Sequence, residues 1–262
     1  MAERPAYAIL GSGYWAGRMR TILAETHKVT CIEGARRRAD ESPSHYQSRL
    51  SKSLKATGAH VSWLCVPPGP HIPLMAEAAL HAGLHVIVEK PWLNSRDETK
   101  PLLDLASRSG LIFGVHYQYC LLEAVEAWRR DLDGGTGFEF GGRFTISKAD
   151  RLGMDALDNL GSHLMAIWNY AVPQARVTAI TSGYQLADER KVWVEKAGRC
   201  VASIDFLENR EPIVQRFVNG VEDAITGAPF PFGIDFALRV AQSTGSLKLR
   251  PIDWRDGFAA ST

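Results

Sequence analysis

The chain has 262 residues, of which 45% are hydrophobic and 23% charged, a composition typical of globular proteins and unlike that of fibres, coiled coils or disordered segments. Thirty basic and 29 acidic residues leave a net charge of +1, and no basic run is interleaved with aromatics, so we expect no nucleic-acid partner. No apolar stretch reaches the roughly 18 residues of a membrane span, and the N-terminus, with Glu3 and Arg4, lacks a signal-peptide core. We therefore expect a cytoplasmic protein that does not bind membranes, long enough for two domains.

The first half of the chain alternates short apolar runs with amphipathic stretches, the pattern of a parallel sheet covered by helices. A helix is expected after the first strand, another over 72–81, where Pro73 suits the first turn and Gly83 follows the end, and a third over 97–109. The strands recur at roughly the spacing that β-α-β units require. Five strands are predicted, at residues 7–10, 29–32, 61–66, 86–88 and 111–115.

The second half changes character, because runs of alternating apolar and polar residues follow one another there and indicate an antiparallel sheet. These strands are predicted at 138–147, 176–181, 191–194 and 200–206, and helices at 121–131, 157–170 and 212–226. We therefore place a domain boundary near residue 120, with a dinucleotide-binding domain over 1–120 and a substrate-binding and oligomerisation domain over 121–262.

The four cysteines, Cys31, Cys65, Cys120 and Cys200, are scattered and form no C-x-x-C pair. Three of them lie in apolar strand-like runs, which is typical of buried, reduced thiols. We expect neither a disulfide nor a metal site.

A glycine loop, residues 11–16, follows the first predicted strand and fits the pattern G-x-G-x-x-A. This pattern is informative when a strand precedes it, a helix follows and an acidic residue appears about 20 positions on, and all three conditions hold here. Gly11 permits the tight turn, Gly13 lets the backbone approach a pyrophosphate, and Ala16 allows close helix packing. The N-H groups at the start of the helix would face the phosphates. The loop predicts a bound dinucleotide.

The choice of dinucleotide depends on the end of the second strand, where two signals conflict. Glu33 could accept a hydrogen bond from an unphosphorylated ribose, whereas Arg36 and Arg37 could bind a 2′-phosphate, with Arg38 read as a solvated residue. One charge-assisted arginine contact contributes roughly 1.5 to 3 kcal/mol, enough to decide the preference. We favour NADP(H) and keep NAD(H) as the alternative.

Residues 64–71 and 76–91, which contain a proline-proline turn, A-G-x-H-V and Glu89-Lys90-Pro91, resemble the Gfo/Idh/MocA oxidoreductases. The resemblance implies an α/β fold: an N-terminal Rossmann domain with a doubly wound parallel sheet, then an α+β domain with an open, mostly antiparallel sheet. It also implies a homodimer or homotetramer formed through that second sheet. The cofactor-binding residues it implies, beside Glu33, Arg36 and Arg37, are Gly11, Gly13, Tyr14, Trp15, Ala16, Pro67, His71, Glu89 and Lys90.

The resemblance further implies that Lys90 lies beside the nicotinamide, before a cis Lys90–Pro91 bond. Hydride transfer to a carbonyl or imine leaves charge on the heteroatom, which needs a proton donor, and Lys90 is the candidate. Residues 159–163 resemble a second family signature, D-x-G-x-H, in which His163 would bind substrate or act as acid/base. The residues expected to bind substrate are Trp92, Tyr117, Tyr119, Asn159 and His163.

The chain departs from the family pattern in its substrate half. Asn159 replaces the aspartate of the signature, and Asp158 cannot substitute because one helical residue is about 100° around the axis. Cys120 stands where an arginine is common, and the interval from His163 to Glu211 is short for the family. The leading hypothesis is therefore an NAD(P)H-dependent reductase of a carbonyl or imine in a specialised small molecule. The alternatives are a dehydrogenase of a sugar, inositol or amino sugar, and a non-catalytic dinucleotide sensor.

Overall fold

The structure is a computed structural model that describes residues 4–32, 35–147, 154–184, 187–208 and 212–248. The chain divides into two compact units, which do not follow the chain order strictly. The first combines Met1–His116 with Val218–Leu238, and the second combines Tyr117–Phe217 with Arg239–Thr262.

The first unit is built on a five-stranded parallel sheet in the order β2-β1-β3-β4-β5. β1, β3, β4 and β5 are almost wholly buried, as expected for a parallel sheet covered on both faces. All five predicted strands are confirmed, although the third ends two residues earlier and the fifth begins two residues later than predicted. The strands are β1 (Tyr7–Leu10), β2 (Val29–Ile32), β3 (Val61–Leu64), β4 (His85–Val88) and β5 (Phe113–Val115).

Four helices connect these strands: α1 (Tyr14–Ala24), α2 (Pro43–Lys55), α3 (His71–His81) and α4 (Arg96–Arg108). α4 begins with a capping box, because the Ser95 hydroxyl accepts from the Glu98 N-H and the Glu98 carboxylate accepts from the Ser95 N-H. α2 was not predicted from the sequence. Its buried residues Tyr46, Leu50 and Leu54 recur every four positions in an otherwise polar segment.

The segment Val218–Leu238 completes the first unit at the free edge of β5. The Val115 N-H donates to the Phe232 carbonyl at 3.0 Å, and Gly114 and Gly233 form an antiparallel bridge. A Cβ on Gly114 would lie 2.8 Å from the Phe232 carbonyl oxygen, so this close approach requires glycine. The same segment carries Glu222, which binds the imidazole of buried His27.

The second unit contains a four-stranded sheet in the order β7-β6-β8-β9. The β6–β8 and β8–β9 pairs are antiparallel and the β6–β7 pair is parallel, so the predicted mostly antiparallel sheet is confirmed with one parallel pair. The strands are β6 (Phe138–Ile146), β7 (Arg176–Tyr184), β8 (Glu189–Lys196) and β9 (Arg199–Asp205). The second unit contains the helices α5 (Glu123–Asp131) and α6 (Ser162–Ala171), with a 3-10 turn at Gln118–Leu121 and a π turn at Leu157–Gly161, whereas α7 (Ile213–Ile225) and α8 (Ile234–Lys248) are each divided between the two units.

The alternating aromatics of β6 face the core of the second unit. Phe138, Phe140 and Phe144 are buried, and Leu164 of α6 packs so closely over Gly142 that a Cβ there would meet it at 2.6 Å. The opposite face carries cross-strand ion pairs, Arg143 with Glu189 at 3.2 Å and Lys191 with Asp205 at 3.3 Å.

The prediction of buried cysteines is wrong for two of the four. Cys65 and Cys120 are buried, whereas Cys31 and Cys200 are exposed. Cys31 lies on β2 and Cys200 on β9, the edge strands of their sheets, where one flank has no neighbouring strand to cover it. Within the described ranges, no helix has the length and apolarity needed to cross a bilayer.

Candidate functional site

The carboxyl edge of the parallel sheet brings together most of the predicted cofactor residues. Because all five strands run in the same direction, the segments that follow β1, β3, β4 and β5 emerge at one edge. Ligands of open α/β sheets bind at this edge. The segments are residues 11–16, 65–71, 89–91 and 116.

Gly11 has two separate structural reasons to be glycine. Its φ is +131°, a backbone conformation that residues with a Cβ rarely adopt. A Cβ at Gly11 would also lie 2.2 Å from the Cys65 carbonyl oxygen, well inside any tolerated contact. Gly11 therefore fixes the turn between β1 and α1 against the end of β3.

Gly13 differs from Gly11 because nothing in the described part of the chain requires a glycine there. Its backbone is extended, with φ −80° and ψ −175°, and a Cβ placed on it would meet no atom within 4 Å. It precedes α1, whose first turn contains no acidic residue and receives no side-chain cap. Ala16 is buried under this turn, as its predicted packing role requires.

Two aromatic residues of the glycine loop are unusually open to solvent. Tyr14 is 75% exposed and Trp15 36% exposed. The Trp15 ring stands edge-on to His116 at a centroid distance of 6.4 Å, and the Arg18 guanidinium lies 5.6 Å from its centroid. The Trp15 ring therefore contacts His116 and Arg18, and the rest of it is open to solvent beside the loop.

Glu89 is engaged inside the protein, which the sequence did not indicate. Its Oε1 accepts from Trp63 Nε1 at 3.1 Å and pairs with His116 Nδ1 at 2.8 Å. The His116 side chain is 1% exposed and that of Glu89 11%. The three residues come from β3, the end of β4 and the end of β5, so the cluster ties three strands together beside Lys90. Glu89 was expected to contact cofactor, and in the structure its Oε1 is engaged by these two side chains.

Lys90 follows Glu89 directly and is half-buried, two residues beyond β4. The Lys90–Pro91 bond is cis, which confirms that prediction. Of the other predicted cofactor residues after β3, Pro67 is exposed and His71 is half-buried. The His71 ring packs over Gly69, where a Cβ would lie 2.8 Å from Cε1.

The arginine segment after β2 is held by one buried carboxylate. Glu41 binds Arg49 through two hydrogen bonds of 2.7 and 2.9 Å and accepts from the Arg38 N-H. The Arg49 guanidinium also donates to the Arg36 carbonyl, and Arg37 Nε donates to the Glu41 carbonyl. The hydrogen bonds from Arg49 lower the pKa of Glu41 to about 2. Glu33 lies outside the described residues.

Trp92 was predicted to bind substrate, but its side chain is buried inside the protein. It is 1% exposed, its Nε1 donates to Thr99 Oγ1 at 2.9 Å, and its ring packs edge-on against Phe113. A fully buried indole with an internal hydrogen-bond partner is a core residue. We therefore withdraw Trp92 from the predicted substrate site.

The second unit brings Tyr119 and His163 together within an aromatic cluster. The two rings stand edge-on at a centroid distance of 4.7 Å, and Phe144 and Phe206 lie 5.6 and 5.1 Å from Tyr119. The Tyr119 hydroxyl accepts from Arg190 at 2.7 Å. Sequence reasoning missed Arg190 because it belongs to no motif.

Asn159 and Cys120, the two departures from the family pattern, both have defined surroundings in the second unit. Asn159 lies in the π turn and its amide donates to the Tyr184 hydroxyl at 2.8 Å. Cys120 is buried, which raises the pKa of its thiol well above its ordinary value and keeps it neutral. Tyr117, predicted to bind substrate, is as buried as Trp92 and is withdrawn from the predicted substrate site with it.

Comparison with known proteins gives a family match for the N-terminal part of the chain. Residues 6–117 match the model of the GFO_IDH_MocA family, described as an oxidoreductase family with an NAD-binding Rossmann fold. Levoglucosan dehydrogenase of Pseudarthrobacter phenanthrenivorans is 28% identical over 138 residues, which cover 51% of this chain. That alignment spans only 34% of the dehydrogenase.

Solved structures share the fold over nearly the whole chain. The UDP-N-acetylglucosamine 3-dehydrogenase of Acidithiobacillus ferrooxidans superposes with a TM-score of 0.72 at 14% identity, covering 95% of this chain and 98% of that one. The WlbA dehydrogenase of Thermus thermophilus, in complex with NAD and α-ketoglutarate, gives 0.68 at 15% identity and covers 97% of both chains. At these identities the likeness is one of fold.

Proposed function

We propose that the chain is a member of the Gfo/Idh/MocA oxidoreductases, whose NAD-binding Rossmann model matches residues 6–117, and that it is an NAD(P)H-dependent reductase of a carbonyl or imine in a small molecule. In this proposal the glycine loop holds the dinucleotide, Lys90 donates the proton, and His163 binds the substrate. We also retain the prediction of a cytoplasmic homodimer or homotetramer formed through the second sheet.

Gly13 is the observation that carries the cofactor assignment. The described residues give no reason for a glycine there, since the backbone is extended and the space beside it is open. A dinucleotide supplies the reason, because its pyrophosphate must approach the backbone at this position. The uncapped start of α1, with no acidic side chain in the first turn, suits the same negative charge.

The arginine segment supports NADPH over NADH. Arg36, Arg37 and Arg38 are exposed, and Glu41 and Arg49 hold the backbone that carries them. Arg37 already uses Nε internally, whereas no described residue pairs with the Arg36 side chain. A guanidinium on a fixed backbone segment can bind a phosphate with little further loss of conformational freedom. We assign the 2′-phosphate to Arg36, with Arg37 beside it.

The chemistry proposed for the chain's own residues is proton delivery and substrate binding. Bound NADPH supplies the hydride. Lys90 Nζ donates a proton to the oxygen or nitrogen that becomes negative as the carbonyl or imine is reduced. Glu89 acts through position: anchored to Trp63 and His116, it fixes the backbone from which Lys90 extends.

A second candidate, oxidation of a sugar, inositol or amino sugar, is favoured by the 28% identity to levoglucosan dehydrogenase. The asparagine at position 159 weighs against it. A neutral amide that already donates to Tyr184 cannot assist the removal of a hydroxyl proton as a carboxylate would.

The test has two steps. Calorimetry with NADPH and NADH measures both dissociation constants, and we expect NADPH to bind roughly 10- to 150-fold more tightly, the value of one charge-assisted contact. Single-turnover loss of nicotinamide absorbance is then followed with a panel of ketones and cyclic imines, and its reverse with sugars, inositols and amino sugars.

The role of Lys90 is tested in the same assay with Lys90→Met and the control Lys52→Met, an exposed lysine of α2. We expect Lys90→Met to slow reduction by at least roughly 100-fold and Lys52→Met to leave it unchanged. Equal rates for the two variants would remove Lys90 from the mechanism. Turnover confined to the alcohols would replace the reductase proposal with the dehydrogenase.

A further inference from the structure

We propose that Arg190, together with the Tyr119 hydroxyl, forms an anion-binding subsite in the second unit and that the substrate therefore carries a carboxylate or phosphate group. The proposal rests on the proposed function, which places substrate at His163, the ring neighbour of Tyr119. It adds the charge of the substrate, which the cofactor half of the chain does not specify.

Arg190 stands on the covered face of the second sheet. In the β6–β8 register it is the cross-strand partner of Phe144, and its carbonyl accepts from the Phe206 N-H at 2.8 Å. The Phe144 and Phe206 rings are 5.4 Å apart. Positions 192 and 194, on the same face of β8, are both buried valines. Arg190 is thus followed on this face by two apolar positions, before Lys196, whose ammonium lies over the Phe138 ring.

The charge of Arg190 is not neutralised within the described part of the chain. Its one hydrogen bond there goes to the neutral Tyr119 hydroxyl, and none of the described carboxylates lies within ion-pair distance. The other arginines of this sheet that hydrogen-bond to a side chain do so with carboxylates, Arg143 with Glu189 and Arg176 with Glu139. A half-buried guanidinium beside aromatic rings, with donors to spare, is suited to a carboxylate or phosphate.

The Tyr119 hydroxyl supplies a second donor at the same place. Its oxygen accepts from Arg190, so its own hydrogen remains available to an acceptor. The Tyr119 ring is buried and fixed by Phe144, Phe206 and His163. The phenol is thus held in one orientation, and an anion that reaches Arg190 can receive hydrogen bonds from both groups. The neighbouring His163 then lies next to the charged group of the substrate.

The test compares charged and neutral sugars on the protein saturated with NADP+. Glucuronate supplies a carboxylate, glucose 6-phosphate a phosphate, and glucose neither. The variants are Arg190→Gln and Arg190→Lys, and Arg143→Gln is the matched control, because it removes the same charge from the opposite face of the sheet. Dissociation constants are measured by calorimetry, and melting temperatures report whether each variant folds.

We expect at least one charged sugar to bind more tightly than glucose. Arg190→Gln should weaken that binding roughly 10- to 150-fold and leave glucose unaffected, whereas Arg143→Gln changes neither. Arg190→Lys, which keeps the charge and serves if Arg190→Gln fails to fold, should retain part of the preference. The charged sugar that is preferred identifies the anion.

A wild-type protein that binds both charged sugars no better than glucose would overturn the subsite, as would equal losses in Arg190→Gln and Arg143→Gln. Neither result would contradict the proposed cofactor site, because NADPH binding is measured separately and involves the first unit.

Discussion

Exchanging each glycine of the cofactor loop for alanine should separate folding from binding. At Gly11 the new methyl group meets the Cys65 carbonyl at 2.2 Å in a backbone conformation reserved for glycine. Strained backbone conformations cost about 1 to 3 kcal/mol, and the steric overlap adds to that. We expect Gly11→Ala to lower the free energy of unfolding by about 3 kcal/mol or more. For a protein of this size, that loss lowers Tm by roughly 6 to 12 °C.

Gly13→Ala should behave in the opposite way. The methyl group meets no atom within 4 Å and the backbone is extended, so the free energy of unfolding should stay within about 1 kcal/mol of wild type. The methyl group would occupy the space proposed for the pyrophosphate. We expect the NADPH dissociation constant to rise at least about tenfold, a loss of about 1.4 kcal/mol.

The assay for both variants is urea unfolding without nucleotide, followed by calorimetric titration with NADPH at a temperature where both are folded. Gly58→Ala, which has positive φ but open space and lies away from the loop, is the control for the backbone cost alone. The reasoning is refuted if Gly13→Ala binds NADPH as tightly as wild type, or if Gly11→Ala is no less stable than Gly58→Ala.

Three further predictions concern residues around the site. In urea unfolding, Trp92→Ala should lower the free energy of unfolding by about 3 to 5 kcal/mol. Trp92→Phe, which loses the Thr99 hydrogen bond, should lower it by about 1 kcal/mol. A wild-type stability for Trp92→Ala would show that the residue is not part of the core. Glu89→Ala leaves the donors on Trp63 and His116 without their acceptor, and it should lower the free energy of unfolding by about 1 to 3 kcal/mol for each of them. Glu89→Gln keeps an acceptor oxygen and should lower it less. Equal losses for the two variants would mean that the acceptor oxygen is not what matters. Because the pKa of Glu41 is lowered to about 2, its contribution to stability is complete above its ordinary pKa of 4.5 and is lost as the pH falls from there towards 2. Unfolding titrations of wild type and Glu41→Gln across that range should therefore converge at the acid end, while the exposed-residue control Glu25→Gln shows no such convergence.

The first unit could be predicted from sequence because its signals are local. Each buried parallel strand is a short apolar run, and the glycine loop and the Lys90–Pro91 bond belong to a motif within a few residues of chain. What the sequence missed depends on contacts between distant segments. Glu89 contacts Trp63 and His116, each more than 25 positions away in the chain. No local sequence pattern around Glu89 predicts either partner.

The errors have the same origin. An apolar run does not reveal the position of its strand in a sheet, so Cys31 and Cys200 were expected to be buried although both lie on edge strands. The tryptophan beside the Glu-Lys-Pro motif was expected to face substrate, but Trp92 packs into the core, where only the fold supplies Phe113 and Thr99. Arg190 gave no signal at all, because a single arginine in a strand is ordinary until its neighbours are known.

The segment that meets the outer flank of β5 gives the protein a particular order of assembly. During synthesis the five strands of the first sheet emerge early, but Phe232 and Gly233, which bond to β5, emerge only after all of the second sheet has been made. Until then β5 presents unpaired backbone groups, which are a template for pairing with other chains. A fragment ending near residue 120 would keep that flank open permanently, together with the surface where Glu222 meets His27. The glycine loop is therefore made first, yet the unit that holds it is finished among the last parts of the chain.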